Sequence, residues 1–130
     1  MRVFVVEDSA VIRERLREML GNIPGIELAG EVDNEADAMQ IIRTLQPDVV
    51  ILDFTLTSGS GLGVLRRIRM QPLPIRVIVL TNDVYPQYRK KCMDAGADYF
   101  LDKSRDIAEL GNLLLRLADG TWLRRVQDAA

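Results

Sequence analysis

Short apolar runs alternate along the chain with longer amphipathic stretches, and the two have different periods. Val3-Phe4-Val5-Val6, Val49-Val50-Ile51-Leu52 and Val77-Ile78-Val79-Leu80 are apolar at every position, as strands are when helices cover both faces of a parallel sheet. Ile26-Glu27-Leu28-Ala29-Gly30-Glu31 alternates instead, which predicts a strand at the sheet edge. Asp98-Tyr99-Phe100-Leu101 is a fifth, shorter candidate. In the first intervening stretch Ile12, Leu16, Met19 and Leu20 recur at i, i+4, i+7 and i+8, with Ser9 placed to cap a helix and Gly21 to end it. Asn34 can cap a second helix carrying Ala38, Ile41, Ile42 and Leu45, closed by Pro47; a third runs from about Gly61 through Leu65 and Ile68 to Pro72. The fourth starts near Pro86, a residue tolerated in a first turn, and stops at Gly96. Ile107, Leu110, Leu114 and Leu117 form the stripe of the fifth, where Asp106 and Glu109 have the spacing of a capping box. Five βα units in succession predict an α/β domain on a parallel sheet. Ligands of such a sheet sit at the carboxyl ends of its strands, beside the point where strand order reverses.

Composition narrows the chemistry. The 130 residues make one domain, and 48% hydrophobic content is enough to build its core. There is no histidine, which excludes Ser-His and Cys-His catalysis and His-ligated zinc. One cysteine cannot form an intrachain disulfide. With no basic-flanked apolar leader and no run of 18 apolar residues, the expected location is the cytoplasm, away from membranes. A net charge of −2 gives no reason to expect direct contact with nucleic acid.

The strand ends carry the candidate chemistry. Glu7 and Asp8 follow the first strand, Asp53 ends the third, Thr81 follows the fourth and Lys103 the fifth. Three carboxylates brought together repel, by roughly 0.8 kcal/mol per pair at about 5 Å in water and several-fold more at lower dielectric. A divalent cation removes that cost, and all-oxygen ligands suit Mg²⁺. An ammonium and a hydroxyl can hold oxygens of an incoming phosphoryl group, while a central carboxylate can act as the nucleophile.

The ordered motifs Val5-Val6-Glu7-Asp8, Pro47-Asp48-Val49-Val50-Ile51-Leu52-Asp53, Val79-Leu80-Thr81, Ala95-Gly96-Ala97-Asp98 and Lys103 resemble the receiver domains of bacterial two-component response regulators, the CheY-like family. The resemblance covers about residues 1–118, with 119–130 left as a C-terminal tail. It implies a flavodoxin-like (βα)₅ doubly wound parallel sheet, strand order 2-1-3-4-5, in a single domain. It implies further that Asp53 accepts a phosphoryl group from a phosphohistidine on a sensor histidine kinase or histidine phosphotransfer protein. Asp8 would bind Mg²⁺ directly, alongside Asp53, Glu7 acting through water and the backbone carbonyl of Thr55. Thr81 would swing onto the phosphoryl group, Lys103 would pair with it, and Phe100 would be the aromatic switch. A downstream protein would dock on the face of the fourth helix, fifth strand and fifth helix, including Tyr85, Tyr88, Tyr99 and Phe100; a phosphorylation-dependent homodimer is a further expectation. Three residues depart from the family pattern: Thr57 and Ser104 stand where prolines are usual, and Phe100 replaces the commoner tyrosine.

Other features read more plainly. Gly59-Ser60-Gly61-Leu62-Gly63 has part of the pattern of a phosphate-cradling loop, but Val64 occupies the last position of G-x-G-x-x-G and the run follows the third strand rather than the first. Cys92 reads as a helix residue, and Arg89-Lys90-Lys91 as a solvated helix face. In the tail, Trp122 and Leu123 either fold back onto the domain or form a docking surface. Two alternatives stand beside the single-domain phosphoacceptor, which would have at most slow intrinsic turnover. One is the regulatory half of a longer helix-turn-helix DNA-binding transcription factor. The other is a phosphatase with an aspartate nucleophile; enzymes of that kind place a second acid two residues on, where this chain has Thr55.

Overall fold

The computed structural model describes residues 1–120. Five strands, β1 (Arg2–Val6), β2 (Glu27–Val32), β3 (Val49–Leu52), β4 (Arg76–Thr81) and β5 (Tyr99–Asp102), alternate with α1 (Ala10–Gly21), α2 (Glu35–Leu45), α3 (Gly61–Arg69), α4 (Pro86–Asp94) and α5 (Ile107–Ala118). The strands form one parallel sheet in the order β2-β1-β3-β4-β5. This is the flavodoxin-like arrangement, with β2 at an edge as its alternating sequence predicts. No helix among the described residues is long and apolar enough to cross a membrane.

Side chains alternate across the sheet because successive strand residues point to opposite faces. Phe4, Val6, Val50, Leu52, Val77, Val79 and Phe100 pack against α2, α3 and α4. Val3, Val5, Val49, Ile51, Ile78 and Leu80 pack against α1 and α5, through Leu16, Leu20, Leu110, Leu113 and Leu114. The all-apolar runs are therefore two interleaved core faces, nearly every residue of which is withdrawn from water.

Caps fix where the helices begin. The Ser9 hydroxyl accepts from the Ile12 amide at 3.3 Å, the Asn34 side chain from Asp37 at 2.9 Å and the Ser60 hydroxyl from Gly63 at 2.9 Å, each satisfying an amide that has no intrahelical partner. The Asp106–Glu109 capping box does not form. Asp106 precedes α5 but makes no capping bond; its carboxylate instead accepts from the Asp102 amide at 2.9 Å, closing the β5–α5 turn. Helix α4 ends at Asp94, before Gly96, which takes a left-handed φ of 104° on the way into β5. The expectations for Trp122 and Leu123 concern positions outside the described residues.

Candidate functional site

Strand register brings the polar residues to one edge. Val6 lies opposite Leu52, so Glu7 and Asp8 leave β1 at the level where Asp53 leaves β3. The Asp53 amide donates to the Val6 carbonyl at 2.9 Å, and the Lys103 amide to that of Thr81 at 3.0 Å. These bonds extend the sheet past its strands and aim the side chains into one cluster at the switch point between β1 and β3.

Lys103 is the centre of that cluster. Its ammonium donates to Asp53 Oδ2 at 2.8 Å and lies 2.7 Å from Glu7 Oε1, with all three side chains buried. Burial alone would lower the lysine's pKa, but the hydrogen bonds and charges of Asp53 and Glu7 outweigh it and hold the pKa above its ordinary value, so the group is a fixed cation. Glu7 moves the other way from a surface carboxylate. Burial pushes its pKa up to about 7, against the opposing hydrogen bonds of Lys103 and the Ser9 amide. That amide donates to Glu7 Oε2 at 3.0 Å, and the Arg13 guanidinium donates to the Glu7 carbonyl at 2.7 Å.

Glu7, Asp8 and Asp53 each offer a carboxylate oxygen, and the three atoms lie within 4.8 Å of one another. An all-carboxylate donor set of this spacing fits a hard divalent cation. The roles within it differ. Both Glu7 oxygens already have protein partners, so it is suited to reach a cation through water, whereas the Asp8 carboxylate has no hydrogen bond or ion pair from the described residues.

The loop after β3 is held tightly to Asp53. Its Oδ1 accepts from the Thr55 amide at 3.2 Å, and the Gly61 amide donates to the Phe54 carbonyl at 3.0 Å. A side chain at Gly61 would place its first carbon 1.9 Å from the Asp53 carbonyl oxygen, so only glycine lets α3 start this close.

Thr81 and Phe100 are both buried, and neither touches Asp53 by hydrogen bond. The Thr81 hydroxyl accepts from the Asp83 amide at 3.1 Å. The Phe100 ring faces inward, with the Arg89 guanidinium 5.8 Å from its centroid in cation–π range. Two participants escaped the sequence reading. Asp83 Oδ2 accepts from the Thr55 hydroxyl at 2.5 Å, tying the β3–α3 and β4–α4 loops; the Thr81-Asn82-Asp83 spacing of a hydroxyl turn was its only local signal. Glu35 fills the glycine-rich loop: its Oε1 accepts from the Ser60 amide at 3.0 Å and its Oε2 from Arg67 at 3.3 Å. The chain's own carboxylate thus occupies the place where the partial phosphate-loop pattern would put an anion.

A doubly wound five-stranded sheet with an acid cluster and a lysine at its switch point defines a CheY-like receiver domain. A sequence profile of the response regulator receiver domain matches residues 3–115, and the chain belongs to that family. A putative transcriptional regulator of Pseudomonas aeruginosa is 36% identical over 109 residues, 84% of this chain and 52% of that protein. The chain thus spans about half the length of the curated relatives it matches. Among solved structures, a LuxR-family DNA-binding response regulator from Staphylococcus aureus superposes with a TM-score of 0.83 at 31% identity, covering 90% of this chain and 98% of that one. The Mn²⁺-bound form of response regulator Rcp1 gives 0.75 at 25% identity, covering 94% of each.

Proposed function

We propose that the domain is a phosphoacceptor switch: an Asp53 carboxylate oxygen attacks the phosphorus of a phosphohistidine on a sensor kinase or phosphotransfer protein. The P–N bond breaks, its electron pair stays with the imidazole, and an aspartyl phosphate forms. The carrying observation is the buried Lys103 ammonium seated on Asp53 with Asp8 open beside it. Mg²⁺, held by Asp8, Asp53 and the Thr55 carbonyl, with Glu7 behind a water, would supply positive charge to the phosphoryl oxygens; the Mn²⁺-bound neighbour supports a divalent cation in this fold. Lys103 orients Asp53 and has a third N–H for a phosphoryl oxygen. Thr81 would exchange its bond to Asp83 for one to the phosphoryl group, and Phe100 would follow it inward or outward, altering the face of α4, β5 and α5. Tyr85 is 60% exposed there, available to a protein partner or a second copy. Thr55, in place of a second acid, has its hydroxyl committed to Asp83, which supports slow hydrolysis rather than enzymatic turnover.

Incubation with a small phosphodonor and Mg²⁺ should add one phosphoryl group, located on Asp53 by mass spectrometry and abolished in Asp53→Asn. Label on another residue would overturn the assignment. A second reading, the regulatory half of a longer DNA-binding protein, is favoured by relatives that are transcription regulators and of whose length the matched region is 52% and 53%. Sequencing the gene past codon 130 decides it: a helix-turn-helix in frame supports that reading, and a stop codon ends it.

A further inference from the structure

The geometry points to Glu35 as a positioning residue for the phosphoacceptor loop, a strut from α2 that keeps the Asp53–Ser60 segment shaped for its cation. This inference rests on the phosphoacceptor reading of Asp53. The loop lacks the stiffening proline, having Thr57 there, and is instead held from outside at two points. The Glu35 amide donates to the Ser58 carbonyl at 3.1 Å, a bond of the parallel bridge between Asn34 and Ser58, and Glu35 Oε1 accepts from the Ser60 amide at 3.0 Å. Arg67, in the last turn of α3, steadies the other carboxylate oxygen.

Two glycines make room for the strut. A Cβ at Gly59 would lie 2.4 Å from Glu35 Cβ, and one at Gly63 would lie 2.5 Å from Oε1. Gly63 sits inside α3, where glycine is the poorer helix former, and its three nearest would-be contacts are all Glu35 carboxylate atoms. At Gly63 the sequence therefore gives up helix stability where a methyl group would displace this carboxylate. The Ser60 amide then loses a charge-assisted acceptor, and the loop that offers the Thr55 carbonyl and carries Asp53 is released. A cation that binds only the ordered loop has its apparent affinity reduced by the fraction of loop that remains ordered.

The test is a double-mutant cycle of Glu35→Ala and Gly63→Ala, with Glu35→Gln as the conservative variant. Each alanine change alone should raise the Mg²⁺ dissociation constant, measured by calorimetry without phosphodonor, by about five- to tenfold. Amide exchange at Ser60 should quicken in both, and the phosphorylation rate at saturating Mg²⁺ should stay within about twofold of wild type. Glu35→Gln keeps an acceptor for Ser60 and should largely restore the affinity. Gly63→Ala should lower the melting midpoint of the wild type but raise it in the Glu35→Ala background, because the seat is then empty. Additive effects of the two changes, or unchanged Mg²⁺ affinity and Ser60 exchange in Glu35→Ala, would overturn the inference. Failure of Asp53 to take label in the wild type would instead strike the phosphoacceptor reading, leaving the calorimetry and exchange results to judge Glu35.

Discussion

Replacing Lys103 by methionine keeps most of the apolar stem and removes the ammonium lying 2.7 Å from Glu7 and 2.8 Å from Asp53. The three side chains expose 7%, 2% and 5% of their surface, so water cannot take the place of the lost charge. Removing one side of a buried ion pair costs about 3–5 kcal/mol. At about 4 °C per kcal/mol for a domain of this size, the unfolding midpoint at pH 8.5 in EDTA should fall by about 12–20 °C. The pH is part of the prediction. Without the ammonium, the buried Glu7 carboxylate can shed its charge only by binding a proton, so the deficit should shrink toward acid by up to about 1.4 kcal/mol per pH unit. Lys90→Met is the control. The Lys90–Asp94 pair is nearly as short, 2.9 Å, but its side chains are 76% and 66% exposed, and its loss should leave the midpoint within about 1 °C. Melts followed by circular dichroism read both. A Lys103→Met deficit below about 4 °C at pH 8.5, or one that is constant from pH 5 to 8.5, would show that the lysine does not hold these carboxylates together.

Mg²⁺ at ten times its dissociation constant should stabilise the wild type by about 1.4 kcal/mol through mass action. Asp8→Ala should remove that increment at the same concentration, and an equal rise in the variant would take Asp8 out of the cation site. The Glu7 carboxyl, raised from 4.5 to about 7 chiefly by burial, binds its proton more tightly in the folded state. Its contribution is therefore fully present below pH 4.5 and lost as pH rises through 7, a change of about 3 kcal/mol. In EDTA, Glu7→Gln should flatten the stability profile across that window, whereas an unchanged slope would point to another group. Burial also pushes the Cys92 thiol up from 9.0 to about 11, so at pH 8 its thiolate fraction is about a hundredfold below that of an ordinary cysteine. Ellman's reagent should react correspondingly slowly with native protein and fast in denaturant; equal rates would contradict the buried position.

The polar strand ends were readable because each follows directly from an unmistakable apolar run. Once Val3–Val6, Val49–Leu52 and Val77–Leu80 are taken as parallel strands, Asp8, Asp53 and Thr81 have only one edge to share. The helix caps Ser9 and Asn34 were equally local, whereas the cap at Ser60 was hidden inside the glycine-rich run. What escaped depends on contacts between loops. Glu35 reads as an ordinary acid in the first turn of a helix, favourable there on its own account, and nothing in its neighbourhood announces Ser60, 25 residues away. Asp83 meets Thr55 across 28 residues in the same manner. Asp106 shows the converse failure: the capping-box spacing is local and correct, but the short β5–α5 turn offers the Asp102 amide as a nearer claimant. Whether Thr81 points to Asp53 or to Asp83 is likewise a choice among conformers, which no sequence spacing encodes.

The sheet divides the interior into two compartments that meet only through backbone. Tyr99 and Phe100 are neighbours in β5, yet one belongs with α1 and α5 and the other with α2, α3 and α4. Substitutions on opposite sides share no partners and should combine additively. The domain is thus modular in its packing: side chains around Phe100 on the α2, α3 and α4 side can be repacked while the α1/α5 compartment keeps its own contacts.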